Sequence, residues 1–90
     1  MIEVRHNERA RRFESGSESE LSRLDYDLRG EILDLYHAEV PPHLEGRGMA
    51  SAITKTALEW ARANRRKVKP SCPFVSAYIR RHPEYSDLLG

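Results

Sequence analysis

Hydrophobic and polar residues alternate through the first 40 positions, after which the apolar spacing switches to threes and fours. Ile2, Val4 and His6 alternate with Glu3 and Arg5 ahead of the turn residue Asn7, which predicts a first strand. Residues 9–14 return as a second strand, although only Ala10 and Phe13 are apolar there. The polar stretch 15–20 reads as a mobile hairpin loop. Leu24, Tyr26 and Leu28 then alternate with Arg23, Asp25 and Asp27, as in a strand with one wet face. A tight turn over 27–30 leads into 31–40, where apolar residues fall on both faces, as expected of a central strand.

The period then changes. Met49, Ile53, Ala57 and Trp60 form one stripe of a helix over about 47–64, with Ala50, Ala52 and Ala61 permitting close packing on a sheet. Arg62, Arg65 and Arg66 lie where the negative end of the helix dipole favours cations. Lys67-Val68-Lys69 is long enough for a short strand. Pro73 suits the first position of a last helix that carries Phe74, Val75, Ala77, Tyr78 and Ile79 and stops before Pro83. The resulting order, ββββαβα, describes one α+β domain over residues 1–90, an antiparallel four-strand meander followed by long helix, short strand and helix.

Composition narrows the function classes. A net charge of +1 argues against a dedicated nucleic-acid binder, and no apolar run approaches the roughly 20 residues that span a bilayer. The start of the chain lacks the apolar stretch of a secretory signal, and one cysteine with four scattered histidines shows no zinc-ligand spacing. A soluble, cytoplasmic protein that binds neither nucleic acid nor membrane is expected. The cluster Arg62, Arg65, Arg66, Lys67 and Lys69 reads as a solvated helix end, and Trp60 as core.

Two places carry candidate chemistry. The first is the loop from Val40 to Ser51, where Gly46 and Gly48 allow backbone N–H groups close to a ligand. It joins a strand to a long helix, whose unpaired N–H groups suit a phosphate, and Arg47 is placed to pair with it. Pro41 and Pro42 stop the strand from continuing as a regular ladder and free backbone groups near Val40. The bland reading of the same glycines is a tight turn into a helix. The second place is Cys72, which precedes Pro73 at a helix start. It is either a small core residue or a thiol made nucleophilic by the helix dipole. His37 and Glu39 share one face of the strand over 31–40, as base and orienter or as half-exposed strand residues.

With these residues in view, the chain resembles the GNAT acetyltransferase superfamily, and more closely its very small, single-domain GNAT-like branch. Glu45-Gly46-Arg47-Gly48-Met49-Ala50 matches the glycine and Gly/Ala positions of the family's pyrophosphate signature and departs at Glu45, where the family has Gln or Arg. His37-x-Glu39-Val40-Pro41, the segment Lys67 to Val75 with Cys72-Pro73-Phe74, and Tyr78-x-x-x-His82-Pro83-x-Tyr85 are similar to the small branch.

The resemblance implies acetyl-CoA as ligand, with the backbone at Val40 on the pantetheine amides and Gly46, Arg47, Gly48, Met49 and Ala50 around the pyrophosphate. Glu45 is expected to point away, leaving Arg47 to supply the charge. Cys72 is implied near the thioester, and Tyr78 as the acid for the departing thiolate, although Ile79 competes for that position.

The implied activity is acetyl transfer from acetyl-CoA to an amine. Two routes stay open: Cys72 takes the acetyl group first, or the amine attacks directly with His37 or Glu39 as base and the Val40 N–H polarising the carbonyl. Residues 7–30 hold only strands and turns, so an open acceptor site that suits a protein or peptide amine is expected. The alternative is a CoA-binding module with little or no catalysis.

Overall fold

The computed structural model describes residues 2–90. Strands β1 (Arg5–Asn7), β2 (Arg12–Ser15), β3 (Ser22–Arg29) and β4 (Ile32–Glu39) form an antiparallel meander. Helix α1 (Met49–Ala63) crosses back, so that β5 (Lys67–Lys69) pairs with β4 in parallel, and helix α2 (Pro73–Arg81) follows. The sheet order is β1-β2-β3-β4-β5, and the expected ββββαβα arrangement of an α+β fold stands.

Every sheet neighbour is also a sequence neighbour except across the α1 crossover, as the preference for short connections requires. Phe13, Leu24, Tyr26, Leu33, Leu35 and Val68 from the sheet meet Ile53, Ala57, Leu58 and Ala61 of α1 in one core, all nearly fully buried. Val75, Tyr78 and Ile79 of α2, with Tyr85 and Leu88 of the 3-10 segment Pro83–Leu88, extend it. Full burial of one side chain such as Leu58 is worth about 1.5–3 kcal/mol. Trp60 packs on the rim of this core, edge-on to His6 at 4.8 Å and to Phe13 at 6.1 Å.

Several boundaries differ from the alternation pattern. The first strand begins at Arg5, leaving Ile2 exposed, and residues 8–11 form the turn to β2, with Ala10 exposed. Asn7 organises that turn by accepting a hydrogen bond from the Ala10 N–H (3.0 Å). The polar stretch assigned to a loop holds a 3-10 turn, Glu18–Glu20, while Ser15 belongs to β2. Helix α1 starts at Met49 rather than 47.

The largest difference lies in β4. Tyr26 pairs with Leu35 but Asp25 pairs with His37, so Tyr36 is an extra residue, a β-bulge. Up to the bulge, Leu33 and Leu35 face the core; beyond it, Ala38 faces the core and His37 and Glu39 face away. The second face of β4 is not buried as its apolar content implied: Ile32 and Tyr36 remain 42% and 47% exposed. That outer face bears ion pairs instead, Arg12 with Glu14 (2.6 Å) and Arg23 with both Asp25 (3.2 Å) and Glu39 (2.7 Å).

Candidate active site

Strand β5 pairs with β4 only at Ile32, Leu33 and Asp34, while β3 accompanies β4 as far as Glu39. Pro70, which has no N–H, ends the ladder. One further bond, from the Cys72 N–H to the Leu35 carbonyl (2.8 Å), joins the chain beyond β5 to β4. Past that point the edge of β4 is unpaired on the β5 side, and a cavity opens there.

The bulge determines which residues present backbone to this edge. Before it, Glu31 and Leu35 turn their carbonyls towards the β5 side, accepting from Lys67 and Cys72 at 2.8 Å each. One inserted residue shifts the alternation, so Ala38 and Val40 now hold that place. Both line the cavity, which has a volume of about 490 Å³. Its other walls come from Leu44 and Glu45, Gly46 and Gly48, the first turn of α1, and Phe74 of α2.

The loop is shaped for close approach. Gly46 and Gly48 have φ of +80° and +79°, a region that side chains disfavour, and a Cβ on either would meet no atom within 4 Å. The space above both glycines is therefore open to a ligand. Gly48 caps α1 without a side-chain hydrogen bond, and the first intrahelical bond runs from the Ala52 N–H to the Gly48 carbonyl (3.0 Å). The N–H groups of Met49, Ala50 and Ser51 thus have no intrahelical partner at the positive end of the helix, an arrangement that suits an anion.

The sequence-derived site residues divide between places. Val40, Gly46, Gly48, Met49 and Ala50 come together in the cavity wall. Glu45 also lies in the wall, whereas Arg47 is exposed and outside it. Among the described residues, the wall holds no lysine or arginine, which leaves backbone N–H groups as the donors available to an anion. His37 and Glu39 stand on the outer face, 51% and 55% exposed, with Nε2 to Oε2 at 4.0 Å, too long for a direct hydrogen bond.

Cys72 is 4% exposed, the N-cap of α2, and part of the core rather than of the wall. Tyr78 stands one turn beyond Phe74 on α2, outside the wall, with its ring stacked on His82 at 4.0 Å. Burial raises the Tyr78 pKa, so the phenol is protonated at neutral pH.

Ala38, Leu44, Ser51 and Phe74 are wall residues that sequence reasoning did not single out. Phe74 was visible within the Cys-Pro-Phe segment. Ala38 depends on the bulge, which no residue pattern announces.

The site therefore combines an unpaired strand edge, a double-glycine turn and an exposed helix N-terminus on one cavity. A family model described as GCN5-related N-acetyl-transferase matches residues 12–88. The chain belongs to the GCN5-related N-acetyltransferase (GNAT) family. Protein NATD1 of Homo sapiens is 31% identical over 85 residues, covering 91% of this chain and 75% of that protein. Protein NATD1 of Danio rerio is 26% identical over 93 residues, covering 98% and 84%. The solution structure of a GCN5-like protein from Staphylococcus aureus superposes with a TM-score of 0.77 at 25% identity, covering 98% of this chain and 87% of that one. This GNAT domain is thus an N-acetyltransferase by family and by fold, and the family generally uses acetyl-CoA. No helix among the described residues is long and apolar enough to cross a membrane.

Proposed function

We propose that residues 1–90 act as one acetyl-CoA-dependent N-acetyltransferase domain whose acceptor is an amine of a protein or peptide. The observation that carries the cofactor reading is the open space over Gly46 and Gly48 beside the unpaired N–H groups of Met49, Ala50 and Ser51. These donors suit a pyrophosphate without a cationic side chain. The backbone of Ala38 and Val40 suits the amides of a pantetheine arm, and Leu44, Met49 and Phe74 its apolar stretches. Glu45 is the one wall residue that opposes an anion.

Acetyl-CoA supplies an activated thioester: the amine nitrogen bonds to the acetyl carbon, the C–S bond breaks, and the thiolate leaves with the electron pair. The remaining work falls to side chains and backbone of this chain. His37, exposed on the outer face beside the unpaired edge, takes the proton that the attacking amine gives up. Glu39, held by Arg23 at 2.7 Å, orients the neighbouring charge rather than serving as the base. The Val40 N–H donates to the acetyl oxygen. Direct attack is favoured over an acetyl-cysteine because the Cys72 thiol is buried in the core. Tyr78, behind Phe74, supports the wall, and its raised pKa keeps it available as an acid.

Because the outer face carries mixed charges in the open, it suits an acceptor presented on a protein or peptide better than an enclosed metabolite. A lone cysteine with no partner suits a reducing, cytoplasmic setting.

Titration calorimetry with CoA and acetyl-CoA, followed by an acetyl-transfer screen over peptide amines, tests the reading. Binding with transfer is expected, and His37→Ala should lower kcat by about 100-fold with little change in KM for acetyl-CoA. Binding without transfer to any amine would instead support a CoA-binding module. No binding of CoA would remove the reading altogether.

A further inference from the structure

A second cavity, of about 240 Å³, lies at the far end of α1 and is lined by Arg62, Arg65, Arg66, Lys67, Asp87 and Leu88. The 15 residues of α1 separate it from the glycine loop by about 22 Å. Four cations therefore surround one carboxylate. Asp87 takes two hydrogen bonds from Arg62, at 2.8 and 3.0 Å, and its carbonyl accepts from Lys67 Nζ at 2.8 Å. Among the described residues, no carboxylate pairs with Arg65 or Arg66, and the Arg66 Nε is buried with no hydrogen-bond partner. An unpaired buried donor of this kind is costly.

The backbone adds a separate observation. Helix α1 closes with two reverse bonds, from the Arg66 N–H to the Ala61 carbonyl (2.8 Å) and from the Arg65 N–H to the Arg62 carbonyl (3.2 Å). This pattern places Arg65 in the left-handed region, at φ +56°, where helices ordinarily end with glycine. An arginine there is conformationally unfavourable, and only its charge suits the negative end of the helix. The same turn brings Arg65 into the wall of the cavity.

We propose that this cavity is a binding site for a phosphate group, held between Arg65 and Arg66 with Lys67 contributing charge. Guanidinium forks match phosphate oxygens in pairs, which suits two arginines in the wall of one cavity. Asp87 acts as an internal competitor, holding Arg62 while the ligand takes the remaining three cations.

Amide chemical shifts followed during titration with inorganic phosphate, and separately with phosphoserine, test this at constant ionic strength. Saturable shifts at 65–67 and 87–88 are expected, with sodium chloride producing none. Inorganic phosphate binding more tightly would point to a small ligand, and phosphoserine to a phosphorylated side chain; either supports the site. Arg65→Gly is the informative variant, because it relieves the backbone. It should leave the unfolding midpoint unchanged or raise it by up to about 4 °C while weakening phosphate at this site at least tenfold. Asp87→Asn should tighten phosphate several-fold.

Shifts confined to 46–51 would show phosphate only at the cofactor loop and would overturn the proposal. So would undiminished binding in Arg65→Gly, or equal shifts with chloride. The readout is independent of acetyl transfer, so failure of the acetyl-CoA reading would leave this result unaffected.

Discussion

The backbone N–H of Cys72 donates a 2.8 Å hydrogen bond to the carbonyl of Leu35, and beyond Leu35 strand β4 keeps only its β3 partner. One bond thus marks where the sheet closes and the cavity opens. Because it uses backbone atoms, Cys72 can hold this seam whatever its thiol does. The structural and chemical roles of Cys72 can therefore be separated by substitution.

Cys72→Ala preserves the bond to Leu35 and removes the sulfur. With direct attack, kcat should fall less than threefold, and the intact-mass spectrum during turnover should show no acetylated protein. Loss of a buried group should cost about 1 kcal/mol, lowering the melting temperature by about 4–8 °C. A collapse of kcat together with an acetyl adduct on the unmodified protein would establish the covalent route instead.

Gly48→Ala tests the loop. No atom stands near the added Cβ, so the effect comes from the backbone, whose φ of +79° disfavours alanine by about 1 kcal/mol. The methyl group would also occupy space assigned to the pyrophosphate. Calorimetry should show acetyl-CoA affinity falling at least tenfold, more than the loss of stability explains. Unchanged affinity would move the cofactor away from this loop.

His6 provides an acid-sensitive contact. Its Nε2 lies 2.6 Å from the Tyr26 hydroxyl, its ring stacks on Phe13 at 4.1 Å, and burial lowers its pKa below 6.5. As pH falls through 6.5, the unfolded chain binds the proton before the folded one, so stability declines from there down to the folded pKa. Urea unfolding of the parent and His6→Gln at pH 7.5 and 5.5 should show a smaller drop in midpoint for the variant. Equal drops would assign the acid sensitivity to other groups.

At the alkaline end, the Tyr85 hydroxyl donates to Glu59 at 2.6 Å, and burial, followed by that bond, raises its pKa well above 10. Below pH 10 its contribution is fully present. Above it the unfolded chain ionises first, so stability falls. Tyr85→Phe should lower stability by about 1 kcal/mol at pH 7 and flatten the decline above pH 10, as followed by circular dichroism. An unchanged alkaline slope would shift that role to Tyr26 or Tyr78, whose pKa values burial also raises.

Much of this architecture is legible along the chain. Period-two alternation through residue 40, a helical stripe from Met49 to Trp60, and proline at the start of α2 determine the order of elements, because each reports a local periodicity of burial. Glycines 46 and 48 and the start of α1 mark the loop proposed to hold the cofactor for the same reason: backbone freedom and unpaired helix donors are local properties.

The placement of His37 and Glu39 is not local. Simple alternation from Leu33 and Leu35 would put both on the core face, but Tyr36 bulges because Asp25 and Tyr26 across the ladder have only two places for three β4 residues. That single extra residue sends His37 and Glu39 outward and turns Ala38 and Val40 into the cavity. Glu45 entering the wall while Arg47 stays outside it likewise depends on the path of the folded loop. Local pattern along the chain sets which elements form and which helix end leaves its donors unpaired. Pairing between strands distant in sequence decided which side chains share a face, since register is a property of two strands and neither records it alone.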